Sequence, residues 1–584
     1  MSERDEDVHV RVGRIRDRGV GKPKPFVHQV LRAAKKAGSE EVGGRRLAGS
    51  GRSGFGRGRT AFSRSRLFSP QRRVVVKARI VRGGSHGARS GPLTAHLSYL
   101  KRDGITRDGT RGRMFDATGD DADGKAFAER CEEDRHHFRF IISPEDAGEM
   151  SDLRAFTRDL AIRMESDLGT RLDWIAIDHW NTDNPHVHLL ARGVADDGCD
   201  LVVARDYISR GLRSRAEDLV SLELGPKPEQ EIRSALARDV EAERWTKLDA
   251  TIRLEADETR IIDVRPADAG AGDPQIRRLM VGRLQRLERM GLASRASPGR
   301  WTLSPDAEPI LRDLAVRGDI IKTMHNALAG RGLERPPGDY VIESGVATTP
   351  IVGRLVEKGL YDELNGEAYA VIDGVDGRVH YVRFRGLDAL EHAAPEGGIV
   401  ELRRFGGPQD RAPTLLLVSR SDSDLARQVT APGATWLDHR LVNNDDASFA
   451  HGGFGAEART AVNARIERLI DKGLARRQGQ RVIFARNLLD TLRRRELDAE
   501  GARLAAELRR PYRLTESGDQ IGGVYQRRLS LSSGRFAMLD DGLGFSLVPW
   551  SPSLERQLGR HVAGIARSDG GVDWTFGRNR GLGL

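Results

Sequence analysis

The chain has 584 residues, enough at about 150 per domain for three to five domains. Its 95 Lys and Arg face 85 Asp and Glu, a formal net charge of +10, and no stretch nears the roughly 18 unbroken apolar residues of a membrane span. Cys131 and Cys199 are its two cysteines, which leaves no disulfide framework and no cysteine-based zinc module, and the first thirty residues lack an apolar segment of secretory type. A soluble, cytoplasmic, multidomain protein is expected.

The positive charge is concentrated at the start. Residues 1–75 hold 19 Lys and Arg against 7 Asp and Glu, a net of +12, which leaves about −2 for the other 509 residues. Residues 38–70 mix Gly, Ser and Arg with isolated Phe and carry no hydrophobic period, so residues 1–74 read as a basic disordered arm. Nucleic-acid phosphate is the natural partner of such an arm, because each neutralised phosphate releases counterions; a solvated tail is the plainer alternative. Deleting residues 1–75 should weaken DNA binding and flatten the salt dependence of log K, whereas an unchanged salt slope would show that the arm does not touch phosphate.

Val74–Val81 is a β-branched run that predicts a strand, and Pro92–Lys101 has its Leu residues at helical spacing. Phe138–Ile142 predicts a strand, and Asp152–Leu168 a long amphipathic helix stopped by Gly169. Trp174–His179 and His186–Arg192 predict two strands around a polar turn containing Pro185, followed by a helical segment from Arg205 to about Leu224. This order fits an α+β or α/β sandwich with one antiparallel hairpin. Further on, Val281–Leu303, Val352–Ile372 and Ala464–Ala485 each read as a helix, a Gly at its C-terminal end, a polar turn and a short strand, which resembles the second half of a winged helix, a motif that can read duplex DNA and also serves as a plain packing unit. Asp373–Arg385 and Val524–Val548 read as short strands with tight turns, suggesting small β-barrels.

The sharpest chemical signal is DHWNTDNPHVH, Asp178–His188. On a strand His186 and His188 share a face, Val187 turns to the core, and a closing hairpin brings His179 within cross-strand reach. Three neutral imidazoles on one point make a divalent-cation site with open positions for a substrate oxygen. Asp178 and Asp183 stand beside them as acceptors for the ring N–H facing away from an ion; Asp183 equally suits the turn itself. A lone His-x-His pair would be structural, and the third His is what points to metal. Tyr99, in AHLSYLKRDG, follows His96 on the same helical face, and Lys101, Arg102 and Arg107 supply positive charge where a phosphate would lie. By itself a helical Tyr is ordinary amphipathic filler.

Together these residues resemble the relaxase/mobilisation nuclease family of conjugative plasmids, of the His-hydrophobic-His, single-Tyr type, in the branch of the T-DNA border endonuclease. The matching positions are Tyr99 in SYLKRDG, His186-Val187-His188, His179, and Asp183 within HWNTDNPHVH; HHFRFIISPED and ARDYISRGLRSRAEDLVSLELGP look like further family segments. The likeness covers Val75 to Gln230, with Ser143 at the place of the family's second-motif Ser and a C-terminal extension beyond. It implies an antiparallel-sheet relaxase sandwich followed by winged-helix-like and small β-barrel domains. The expected organisation is the arm at 1–74, the nuclease domain at 75–230, winged-helix-like regions at 235–345 and 431–510, a mixed α/β region at 346–430 and a small β domain at 511–584. The activity implied is a metal-dependent strand transfer, with Mg²⁺ or Mn²⁺ on His179, His186 and His188, and with Tyr99 and Asp183 as catalytic residues. Tyr99 attacks one strand of single-stranded DNA at a transfer origin to leave a 5′-phosphotyrosyl link, with accessory relaxosome and type IV secretion or coupling proteins as partners and no membrane insertion. No GxxxxGK[ST] loop occurs, so unwinding falls to another protein. Two rival readings are a rolling-circle replication initiator or transposase with the same chemistry, and a non-catalytic nucleic-acid-binding regulator with a structural metal site, which has no need of Tyr99.

Overall fold

The computed structural model describes residues 67–82, 91–104, 106–180, 184–256, 260–265, 274–343, 350–405, 414–443, 449–479, 481–567 and 571–575. It is α+β throughout, with predominantly antiparallel sheets, and divides into two compact units at Arg317/Gly318. No helix among the described residues is long and apolar enough to cross a membrane.

The first unit opens with β1 (Val74–Arg82), α1 (Gly91–Asp103), α2 (Gly124–Arg130), β2 (His136–Pro144), α3 (Leu153–Leu168), β3 (Trp174–His179), β4 (His186–Arg192) and α4 (Leu212–Leu224). The four strands form one antiparallel sheet in the order β1-β2-β4-β3. The local signals are obeyed. The Asp152 carboxylate accepts from the Arg154 N–H at the start of α3, and Gly169, at φ 71°, closes its C-terminal end in the left-handed conformation that an L side chain resists. One sheet face, with Val76, Phe140, Val187, Leu189 and Trp174, is sealed by Phe156, Leu160 and Met164 of α3 and by Ala216 and Val220 of α4. The helix expected from Arg205 is a π-helical turn, Tyr207–Gly211, that runs into α4.

Most of the basic arm, residues 1–66, lies outside the described residues. Its end does not behave as a tail. Leu67 is buried beside Ile232 and Leu236, and Arg72 is buried against Asp146 at 3.0 Å. The order expected from Val74 therefore begins at least seven residues earlier, so a deletion that tests the arm should stop at residue 66.

The unit continues with α5 (Glu229–Glu241), α6 (Lys247–Glu255), β5 (Ile261–Asp263), α7 (Pro274–Arg289), β6 (Ala293–Ser297) and β7 (Arg300–Leu303), the strands pairing in the order β5-β7-β6. α8 (Ala307–Ala329) carries the boundary. In the second unit β8 (Tyr340–Ile342), β9 (Ile351–Asp362), β10 (Glu367–Gly374), β11 (Val379–Phe384), β12 (Ile399–Phe405) and β13 (Thr414–Ser421) form a six-stranded sheet. It is followed by α9 (Leu425–Thr430), α10 (Trp436–Asn443), α11 (Gly453–Asp471), β14 (Ala475–Gln478), β15 (Arg481–Phe484) and α12 (Leu488–Leu508). The last sheet holds β16 (Tyr512–Arg513), β17 (Gln520–Leu531), β18 (Gly534–Asp540), β19 (Phe545–Pro549), β20 (His561–Ala566) and β21 (Val572–Thr575).

Two expectations need correction. Val352–Ile372 is not a helix running into a strand; it is the β9–β10 hairpin. Gly359, read as a helix terminator, sits in β9 opposite Tyr369, and a Cβ there would come within 2.6 Å of the Tyr369 ring. A glycine cleared for an aromatic ring and one that ends a helix look alike in sequence. Nor do the β-rich regions close into barrels: β13 and β8 end one six-stranded sheet, β16 and β21 the other, and neither pair of edges is joined among the described residues.

The other two repeats stand, and they share a buried network. Thr246 and Asp249 form a capping box at the start of α6, and Arg283 of α7 grips Asp249 with Nε and Nη2 at 2.8 and 2.9 Å. The rest of its guanidinium donates to the carbonyls of Val240, Ala242 and Arg244. In the second unit Thr435, Asp438 and Arg465 repeat the arrangement, both Arg–Asp hydrogen bonds at 2.8 Å, with donations to the carbonyls of Val429, Ala431 and Gly433. Every partner of Arg283 has its counterpart 189 residues on, which is the mark of a duplicated module. Arg283 and Asp249 are fully buried. Arg283→Met should therefore cost about 3–5 kcal/mol by stranding a carboxylate, and Arg283→Met/Asp249→Leu should recover the part due to that charge while keeping the loss from the three carbonyls and the Thr246 cap. Thermal melting of the two proteins checks this; equal losses would show that packing, not charge, sets the cost.

Candidate metal centre

β3 and β4 pair so that His179 stands opposite His186 and Ile177 opposite His188. Side-chain alternation puts the three imidazoles on one sheet face, the one turned away from α3 and α4, while Val187 goes to the core beneath those helices. All three rings are buried, with centroids 4.6 to 5.4 Å apart and ligating nitrogens within 4.8 Å of one another. The group could hold a metal ion.

The donor set fits one. His186 Nδ1 lies 2.9 Å from the Asn184 carbonyl, so a proton on Nδ1 satisfies that oxygen and turns the Nε2 lone pair toward His188. The two Nε2 atoms are 3.1 Å apart. Two nitrogens each about 2.1 Å from one ion are separated by about 3.0–3.4 Å in octahedral or tetrahedral geometry, so this approach suits a shared cation as well as a direct ring-to-ring hydrogen bond. His179 Nε2 lies 3.2 Å from the Leu100 carbonyl, which can accept its proton and fix the ring, as the outer partner of a ligating imidazole does.

That hydrogen bond also brings α1 to the centre. Leu100 lies one turn beyond buried His96 on the helix that also carries half-buried Tyr99. Gly104 is the close approach: a Cβ there would sit 2.9 Å from two atoms of the His179 ring. Tyr99 thus neighbours the residue that holds His179, although 80 positions separate the two in sequence. Lys101 is exposed at the end of α1. Arg107 is exposed too, but its Nη1 donates to the carbonyls of Met150 and Ser151 at 3.0 and 3.2 Å, and its guanidinium covers Trp180 at 5.2 Å. The side chain of Arg102, and the whole of Asp183, lie outside the described residues. Ser143 Oγ donates to the Pro185 carbonyl at 3.3 Å, which ties β2 to the hairpin turn.

Asp178 does not orient a histidine ring. Its two oxygens accept from Arg154 Nε at 2.9 Å and Trp180 Nε1 at 2.8 Å. Strand parity explains this, since Asp178 and His179 are adjacent and face opposite sides of the sheet. Sequence reasoning missed the Arg154–Asp178–Trp180–Arg107 chain that results. Tyr207 packs against the core beneath α3 and α4, across the sheet from the imidazoles, and its hydroxyl donates to Asp167 at 3.0 Å. Burial and that carboxylate push its phenol well above the usual range, which disfavours a phenolate there. His137 is separate from the centre: it accepts from Arg139 Nε, and burial, with Arg139 next in effect, pushes its imidazole down to about 3. A carboxylate group of Asp146, Glu149 and Glu231 is met by Arg72 and Lys227 and reads as an ion-pair cluster.

Comparison with curated proteins and with solved structures gave no match. A family model described as "Protein of unknown function (DUF3363)" matches residues 280–413 and 409–583, together just over half of the chain and all of it beyond the histidine hairpin. The chain therefore belongs to the DUF3363 family of proteins of unknown function.

Proposed function

We propose that the chain is a relaxase: a metal-dependent strand transferase that nicks single-stranded DNA at a transfer origin through Tyr99. The observation that carries the reading is the convergence of three buried imidazoles on the sheet face where the C-terminal end of the Tyr99 helix holds His179. The likeness of SYLKRDG and HWNTDNPHVH to the mobilisation nucleases supports the same assignment.

A divalent ion on His179, His186 and His188, Mg²⁺ or Mn²⁺ for this chemistry, would draw charge from a phosphate oxygen and offset the charge that builds on phosphorus. Tyr99 Oη forms the new bond to phosphorus, the P–O3′ bond breaks, the phenol proton passes to solvent, and the departing 3′ oxygen takes up a proton. The products are a 5′-phosphotyrosyl link and a free 3′-hydroxyl. The bond energy stays in the adduct, so a returning 3′-hydroxyl can reseal the strand without nucleotide hydrolysis. Lys101, exposed near the end of the same helix, suits the DNA backbone.

The test uses a pool of random-sequence single strands labelled at the 3′ end, incubated with the full chain. The expected result is a labelled, detergent-resistant protein band that needs Mg²⁺ or Mn²⁺ and disappears with chelator. Metal binding without any adduct would favour the regulator with a structural metal site. Transfer is separated from replication initiation by which origin on a supercoiled plasmid is nicked.

A further inference from the structure

The two copies of the duplicated module differ where they meet solvent. In the first copy the cations at the C-terminal end of α7 and on the β6–β7 hairpin stand in ion pairs. Arg286 pairs with Glu243 at 2.7 Å and Glu241 at 3.6 Å, Arg289 with Glu241 at 3.5 Å, Arg295 with Glu288 at 3.8 Å, and Arg300 with Asp263 of β5 at 3.1 Å. The hairpin registers align Leu303 with Phe484 and Arg300 with Arg481, and the helix positions align Arg286 with Arg468.

In the second copy the acids at the matching positions are gone, since Glu241, Glu243 and Glu288 fall on Thr430, Pro432 and Ile470, although Arg289 becomes Asp471. β14 and β15 form a two-stranded ribbon with no third strand in the place of β5 among the described residues, so nothing there stands where Asp263 holds Arg300. Ser294 of the first hairpin becomes Arg476, and Met290 becomes Lys472. Arg468, Lys472, Arg476 and Arg481 are all exposed, and none forms an ion pair among the described residues. Arg476 and Arg481 lie on one face of the ribbon with Gln478 between them, since Gln478 pairs with Arg481 and Arg476 with Ile483. Of the two acidic residues of this stretch, Glu467 is taken by Arg477, which leaves Asp471 against four cations. Burial and the nearby guanidiniums of Arg468, Arg465 and Arg495 lower the Lys472 ammonium, as a crowded positive face requires.

We infer that the β14–β15 ribbon and the adjoining end of α11 form a docking surface for the phosphate backbone of duplex DNA. A helix or a two-stranded ribbon is the element that B-form DNA admits to its major groove, whereas the deep, narrow groove of duplex RNA excludes it. Arg476 and Arg481 on one ribbon face, with Arg468 and Lys472 at the helix end, place cations on two neighbouring elements of a single rigid module. The buried Arg465–Asp438 pair ties α11 to α10, so the helix end that carries Arg468 and Lys472 has a packed support. The first copy keeps the scaffold and lacks the charge.

The experiment measures binding of a 30-base-pair DNA duplex to the full chain by fluorescence anisotropy across a salt series. Arg476→Glu/Arg481→Glu should weaken binding roughly tenfold or more and reduce the slope of log K against log salt by about 2, near 0.9 for each phosphate no longer neutralised. The same reversal in the first hairpin, Arg295→Glu/Arg300→Glu, should leave affinity and slope nearly unchanged. If the reversed ribbon unfolds, Arg476→Gln/Arg481→Gln gives the same direction with a smaller change. Unaltered duplex binding by the ribbon variants, or equal losses from both hairpins, would overturn the proposal. The covalent assay on single strands reads the other centre, so each claim fails without the other.

Discussion

Tyr99→Phe protein should bind single-stranded DNA and divalent metal as the parent does, and should form no covalent adduct. The substitution removes one oxygen from a half-buried side chain, so the helix and its Leu100–His179 hydrogen bond remain. What goes is the oxygen that attacks phosphorus in the proposed reaction, and losses of nucleophile run to about 10³-fold or more in rate. Tyr207→Phe is the control. Its hydroxyl is spent on Asp167 on the far side of the sheet, so adduct should still form, with some loss of stability where that hydrogen bond was. Gel mobility of the denatured protein distinguishes the two variants. A Tyr99→Phe protein that still forms adduct would move the nucleophile elsewhere.

His186→Ala/His188→Ala protein should not bind divalent metal. Each single substitution removes one nitrogen of a three-nitrogen set, and should weaken Mn²⁺ binding by at least the ~10–100-fold that loss of an outer-shell partner costs. The pair should cost far less than the product of the singles, because the two Nε2 atoms, 3.1 Å apart, act on one point. Titration calorimetry with Mn²⁺ reads both quantities. Retained stoichiometry in the double variant would mean that these imidazoles are a hydrogen-bonded core feature and no more.

Where the signals are local, sequence and structure agree closely. β3 and β4 begin and end where the apolar runs do, and α3 lies between a capping Asp and a left-handed Gly. The face shared by His186 and His188 follows from strand parity alone, and the same parity, applied one residue earlier, keeps Asp178 away from the His179 ring. Long-range placement is not legible. Nothing in the sequence ties Leu100 to His179, because that hydrogen bond depends on how α1 crosses the sheet. β9 passes for a helix because Leu and Val at mixed spacing satisfy a short helical pattern, and only the partner strand shows why Gly359 is there. The duplicated network does have a signal, Thr-x-x-Asp at 246–249 and again at 435–438, each upstream of a helix with a buried Arg. Matching the helix ends alone admits the β9 segment as a false third copy.

The most direct measurement is mass spectrometry of the peptide that carries the trapped nucleotide, after metal-dependent reaction of the full chain with single-stranded DNA. A relaxase centred on Tyr99 yields a phosphotyrosyl nucleotide on the Tyr99 peptide, joined through the 5′ phosphate and absent when His179, His186 or His188 is replaced. A nucleotide on Tyr207 or on any other side chain, or an adduct that forms equally well without those histidines, would contradict it.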